Sequence, residues 1–161
     1  MTARIRQDFA PKDTALVARV AATVRGIRRR DRPVVSLHVR RGDFLRVDGL
    51  VVASKQRQAA MNQFPGADFL VFSDDLAWCR SNVRGENVFY SPFQGMLEDF
   101  WGMACCDHNI IANSTFSWWA AWLNPNPERI VVAPANGVGD ADFYPPDWRL
   151  VQGDRVRWSH P

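Results

Sequence analysis

The chain has 161 residues, 47% hydrophobic and 23% charged, which fits one globular domain with its own core and excludes wholesale disorder. Its net charge of +3 is uneven: residues 1–50 carry twelve Lys/Arg against five Asp/Glu, a net of +7, and the remainder carries eight against twelve, a net of −4. No apolar run reaches the roughly 18 residues of a membrane span, and Met1 to Ala10, with Arg4, Arg6 and Asp8, lacks the apolar stretch of a signal peptide.

The basic first third points to an anionic partner: a phosphate, a nucleic acid or a lipid headgroup. Cys79 stands alone and Cys105 and Cys106 are adjacent, so no zinc-type spacing occurs and reduced thiols in a cytosolic protein are expected.

In chain order, Asp13 precedes a helical pattern with Leu16, Val20, Val24 and Ile27 on one face. Arg25, Arg28, Arg29, Arg30 and Arg32 crowd its C-terminal end, where the helix dipole favours cations, and Pro33 stops it. Val34 to Val39 reads as a buried strand, Ser54 to Gln63 as a polar-faced helix, and Phe69 to Phe72 as a second strand. Asp74 and Asp75 can cap a short helix running through Cys79. A third strand is predicted at Val88 to Tyr90 and a helix at Met96 to Cys105, with Leu97, Phe100, Met103 and Ala104 sharing a face. A fourth strand follows at Asn109 to Ala112, a Trp-rich helix at Thr115 to Leu123, and a fifth strand at Ile130 to Ala133. Pro145-Pro146 marks residues 135–161 as an irregular tail.

Continuous apolar strands alternating with helices predict an α/β fold: a Rossmann-like parallel sheet with helices on both faces. Such sheets bind ligands outside the C-terminal ends of their strands. Four polar clusters fall there.

In His38-Val39-Arg40-Arg41-Gly42-Asp43, two guanidiniums can present paired donors to phosphate oxygens. Gly42 permits a close backbone turn, and Asp43 can orient an arginine. A surface loop with an Arg–Asp ion pair would read the same way. Phe72-Ser73-Asp74-Asp75 can hold a ribose, or simply end a strand and cap a helix. His108 to Trp119 runs through small polar residues into a helix. Asn113, Ser114, Thr115, Phe116 and Ser117 stand at its start, where free N–H groups suit a phosphate. Ordinary capping by Ser114 or Thr115 is the plainer account. Trp118, Trp119 and Trp122 read as packing rather than as sugar platforms. Finally, Glu98-Asp99 can offer a carboxylate to a base edge or face solvent. No G-x-G-x-x-G, no P-loop and no spaced acidic metal motif occurs, so no divalent metal is expected.

His-Val-Arg-Arg-Gly-Asp, then Phe-Ser-Asp-Asp, then His-Asn-Ile-Ile-Ala-Asn-Ser-Thr-Phe-Ser-Trp-Trp-Ala-Ala-Trp-Leu-Asn together resemble the α-1,2-fucosyltransferases, glycosyltransferase family 11. Ile130-Val131-Val132-Ala133-Pro134 and Asp147-Trp148 resemble later segments of the same family, so the likeness spans roughly residues 34–150.

The resemblance implies the C-terminal, donor-binding domain of a GT-B glycosyltransferase. Residues 1–161 would form one GDP-fucose-binding domain with a helical segment over 1–32, the acceptor-side domain being absent, since only 37 residues precede the first motif. It implies transfer of L-fucose from GDP-β-L-fucose to the 2-hydroxyl of a galactose-type acceptor, with inversion and without a cofactor or metal. Arg40 and Arg41 would hold the diphosphate and His38 would lie beside the guanosine. Asn113 to Ser117 would contact the phosphates and Asp99 would read guanine; Asp74 and Asp75, from their own cluster, are donor-binding candidates. Arg40 and Asp43 are the catalytic candidates. The family's adjacent tyrosines have no counterpart near Lys55-Gln56.

The implied partners are a nucleotide-sugar donor and a glycan acceptor, with self-association through surface left uncovered by the missing half. With no signal and no span, the expected location is cytoplasmic, either free or resting on the inner membrane. Two other readings stand beside this one: a GDP-binding remnant without transfer activity, and a basic nucleic-acid-binding module over Arg25 to Arg41.

Overall fold

The computed structural model describes residues 2–28, 31–46, 51–135 and 143–152. Six parallel strands form one sheet: β1 (Val34–Val39), β2 (Asp68–Ser73), β3 (Val88–Tyr90), β4 (His108–Ile110), β5 (Val131–Pro134) and β6 (Arg149–Val151), in spatial order β3-β2-β1-β4-β5-β6. Helices α1 (Thr2–Asp8), α2 (Thr14–Ile27), α3 (Ser54–Met61), α4 (Leu76–Asn82), α5 (Met96–Ala104) and α6 (Thr115–Leu123) surround it. The Rossmann-like α/β expectation holds.

The strand order follows from crossover handedness. Chain direction runs leftward from β1 to β3, and α3 and α4 lie in these connections; it then runs rightward through α5 and α6. Right-handed crossovers in opposite directions put these two helix groups on opposite faces. Period-2 alternation matches. Val35, Leu37 and Val39 of β1, with Phe69 and Val71 of β2, pack with Ala60, Phe64, Cys79 and Val83 on the α3–α4 face. Val34, Leu70 and Phe72 point the other way, against Val24, Met103, Cys106 and Ala120 on the α2–α5–α6 face.

Strand β1 sits between β2 and β4 and is buried along its whole length. The register sets Val34 beside Asp68, Val39 beside Ser73, and Leu37 beside Ile110. A third cluster of Ile111, Ala121, Val131, Ala133 and Trp148 closes the β4–β5 side. Trp118 and Trp122 stack 6.3 Å apart there, so these tryptophans do pack.

Buried polar side chains tie the lower end of the sheet. Asn109 donates to Ser36 Oγ at 2.7 Å and to the Met103 carbonyl at 2.8 Å, while its own Oδ1 accepts from Asn124 at 2.8 Å. Asn124 also donates to the Cys106 carbonyl. This network joins β1, β4 and the C-terminal ends of α5 and α6. Asp107 accepts from the Val34 N–H at 2.7 Å and from Arg28, and Arg32 pairs with Asp68 at 3.7 Å. The arginines behind the nucleic-acid reading are therefore partly spent on local carboxylates; Arg29 and Arg30 lie outside the described residues.

Three details differ from the sequence reading. The segment after Pro134 is not wholly irregular: Arg149–Val151 adds strand β6 to β5. Three residues with only Val151 buried carry too little periodicity to be read locally. Residues Thr2–Asp8 form their own helix, α1, whose Arg6 donates to the Trp122 carbonyl at 2.6 Å; beyond its end, Phe9 stacks on Trp119 at 4.7 Å. At α4 the cap is Asp75 alone, accepting from the Trp78 N–H.

Asn109→Ala removes two donors and one acceptor from a fully buried network, and stranded buried partners cost about 1–3 kcal/mol. Urea unfolding should show a loss of about that size; a loss under about 0.5 kcal/mol would show that the network contributes little to stability.

Candidate functional site

A cleft of about 900 Å³ opens along the C-terminal edge of the sheet. It lies where strand order reverses, between β1 and β4, the place at which such sheets bind ligands. Its size is that of a site for a nucleotide-sized molecule.

From the β1 side come His38 and Arg40, followed by Phe44 of the 3-10 turn Asp43–Arg46. From β2 come Ser73 and Asp74; from the loop after β3 and the first turn of α5 come Gln94, Gly95, Met96 and Asp99. The β4–α6 junction supplies Asn113, Ser114, Thr115 and Phe116. Trp118, Phe143 and Tyr144 close the far end.

Arg40 is held by two carboxylates. Its Nε and Nη2 fork onto Asp43 Oδ1 at 3.1 and 2.8 Å, and Nη1 lies 3.3 Å from Asp74. Guanidinium has five N–H donors, so donors remain for a ligand after this fork. Asp74 also accepts from the Arg41 N–H at 2.9 Å, which binds the end of β1 to the end of β2. A Cβ at Gly42 would stand 2.5 Å from Asp74 Oδ2, so glycine is what lets the carboxylate approach.

The α6 start offers backbone donors. Ser114 occupies the N-cap position, and its side chain makes no capping bond. The N–H groups of the first helical turn have no partner within the helix. They carry the positive end of the dipole toward the cleft. Arg40 and this helix end thus bring positive potential from two different elements.

His38 is 7% exposed, and its Nδ1 has no hydrogen-bond partner. Burial holds its pKa down at about 4; Asp74 raises it and Arg40 lowers it further, by smaller amounts. It is a neutral imidazole at pH 7. Asp99 accepts from Ser91 Oγ at 2.6 Å. Burial pushes its carboxyl up, opposed by that hydrogen bond.

The structure brings His38, Arg40, Asp74, Asp99 and Asn113 to Phe116 to one cleft. It does not bring four other candidates to it. Arg41 turns away, 3.7 Å over the Trp78 ring with Nε 3.3 Å from Asp75. Asp75 is spent on capping α4 and on Arg41. Ser117 is fully buried, its hydroxyl on the Ser114 carbonyl. Asp43 is exposed and reaches the cleft only through Arg40. Glu98, Asp99's neighbour, pairs with Arg19 at 3.1 Å and accepts from the N–H groups of Gln94 and Gly95.

Sequence reasoning missed Phe44, Gln94, Gly95 and Met96, although the last three follow a strand end and were findable by that rule. It also missed Phe143 and Tyr144, for which no local signal existed. Among the described residues, no three His, Cys, Asp or Glu side chains gather as a metal cluster, and no helix is long and apolar enough to cross a membrane.

Strand order, switch-point cleft and converging donors define a Rossmann-like domain suited to an anionic ligand. Residues 3–150 match the profile of Glycosyl transferase family 11, and the chain belongs to that family. It is 35% identical over 112 residues to the O-antigen biosynthesis glycosyltransferase WbnK of Escherichia coli, covering 62% of this chain and 37% of that protein. It is 34% identical over 114 residues to an alpha-1,2-colitosyltransferase of Escherichia coli, covering 62% and 39%. The galactoside alpha-(1,2)-fucosyltransferase 1 of Saimiri sciureus is 36% identical over 108 residues, covering 58% and 30%. The matched region is thus between three and four tenths of these relatives' length. No solved structure gives a significant match.

His38 makes a pH prediction. An unfolded histidine titrates near 6.5, while the folded one titrates near 4. Between those values the unfolded chain takes up a proton that the folded chain does not, so stability falls as pH drops through this window and the loss is complete below it. At about 1.36 kcal/mol per pH unit over this window of roughly 2.5 units, the full loss is about 3 to 3.5 kcal/mol. His38→Gln should remove that part of the slope. Parallel stability–pH curves for the two proteins between pH 7 and 4 would contradict it.

Proposed function

We propose that this domain binds GDP-β-L-fucose and serves transfer of fucose to the 2-hydroxyl of a galactose-type acceptor with inversion. The observation that carries the reading is the pairing of Arg40 with the α6 N-terminus across the switch-point cleft. An oxocarbenium-like transition state puts growing negative charge on the departing GDP. Prepositioned guanidinium and backbone N–H donors stabilise such charge without a metal. The names of relatives, a colitosyltransferase and fucosyltransferases, support a sugar donor of this class.

In this reading Arg40 and the N–H groups of Thr115 and Phe116 hold the diphosphate. Asp43 is a positioning residue that fixes Arg40. Asp74 ties Arg40 to the Arg41 backbone. Asp99, set by Ser91, accepts from the guanine edge, and neutral His38 offers Nδ1 beside the nucleoside. Arg41 is removed from direct phosphate contact and acts as a brace on α4 through Asp75 and Trp78. The acceptor side is supplied by a second domain. Leu45, Met96 and Leu97 are exposed apolar side chains, 59%, 71% and 62% accessible, available to such a domain.

Calorimetric titration with GDP, with ADP as control and EDTA present, tests the reading. Selective GDP binding is expected. Arg40→Ala should weaken it strongly, since losing a charge-assisted hydrogen bond to the diphosphate costs about 1.5–3 kcal/mol. Asp99→Asn should shrink the preference for GDP over ADP. Binding that is indifferent to the base, or unchanged in Arg40→Ala, would overturn the assignment.

A further inference from the structure

The cleft has a chemical direction that the nucleotide does not use up. Sheet order β3-β2-β1-β4-β5-β6 lays its lining out in sequence. The carboxylate of Asp99 lies at the β3 end, His38, Arg40 and the α6 N-terminus in the middle, and Trp118, Phe143 and Tyr144 on the β5–β6 side. A nucleoside diphosphate occupies the carboxylate and the cationic middle. The group attached to its terminal phosphate then falls against the aromatic end.

That end is built as a unit. Trp118 Nε1 donates to the Phe143 carbonyl at 3.2 Å, fixing the backbone that leads into β6. The Phe143 ring lies 5.9 Å from Trp118 and 5.2 Å, edge-on, from Tyr144. Trp118 and Tyr144 both contact Trp148, which is 6% exposed and anchored in the β4–β5 core. The Phe143 carbonyl accepts from Trp118, and its ring is 37% accessible. A side chain this apolar, fixed at the mouth of a polar cleft, presents a flat face suited to the C–H side of a sugar ring.

We propose that Phe143, braced by Trp118 and Tyr144, is the sugar subsite of this cleft and favours a 6-deoxyhexose over the corresponding 6-hydroxy sugar. A methyl group against this wall loses water at no polar cost. A hydroxyl against the Phe143 ring would be desolvated with no hydrogen-bond partner from that ring. Discrimination of this kind, against an isostere that merely adds a hydroxyl, is bounded at about 100-fold. The inference rests on the GDP-sugar reading and adds to it the residue that senses the sugar.

The test is titration of wild type and Phe143→Ala with GDP, GDP-fucose and GDP-β-L-galactose, which is fucose carrying a 6-hydroxyl. Phe143→Leu serves as a conservative second variant, and urea unfolding checks that each folds. In Phe143→Ala, GDP affinity should stay within about twofold. GDP-fucose affinity should fall about three- to tenfold, the range of one aromatic contact, and the fucose-over-galactose preference should narrow. Phe143→Leu should fall between. If folded wild type binds no GDP, the GDP-sugar reading fails and this proposal with it. If GDP binds but Phe143→Ala leaves GDP-fucose affinity intact, or weakens GDP and GDP-fucose equally, only the sugar subsite is overturned.

Discussion

The site depends on one constraint: β1 must be the central strand, buried on both faces and hydrogen-bonded on both edges. Chain direction reverses around it, so its C-terminal end is the one place where two connections leave in opposite directions and a crevice opens. His38 is the last inward-facing residue but one of the strand, and Arg40 is the first beyond it. A slip of one residue in the β1–β2 register would exchange Leu37 and His38 between the two cores.

Charge in the cleft is organised rather than merely positive. Asp43 and Asp74 flank Arg40, and Asp75 with Trp78 takes Arg41. Two adjacent arginines therefore have separate tasks: one faces the cleft, one clamps α4 to the end of β1. Backbone N–H groups at α6 supply the second positive element without a second exposed cation. This division gives each guanidinium its own carboxylate partners, Asp43 and Asp74 for Arg40 and Asp75 for Arg41.

Polar burial at the opposite end has a different purpose. Asn109, Asn124 and Asp107 satisfy helix ends and strand ends that would otherwise be stranded under the sheet. They set α5 and α6 side by side, and Phe100 meets Phe116 edge-on at 5.4 Å between them. The first turns of those two helices face the cleft, so this structural network helps to set the backbone that lines it.

Much of this was legible in the residues. Near-continuous apolar runs placed the first five strands to within about two residues, because a strand covered on both faces is mostly apolar. Strand-end logic found His38, Arg40, Asp74 and the Asn113–Phe116 turn, since ligand edges in such sheets are a property of topology. Local pattern could not find β6, three residues long, nor the placement of Phe143 and Tyr144, which is set by Trp118 reaching across 25 residues. Nor could it separate Arg40 from Arg41, or Asp74 from Asp75. Adjacent identical residues carry the same chemistry in sequence. Only the backbone direction at the end of a strand, and the partners waiting on each side, decide which one faces the ligand.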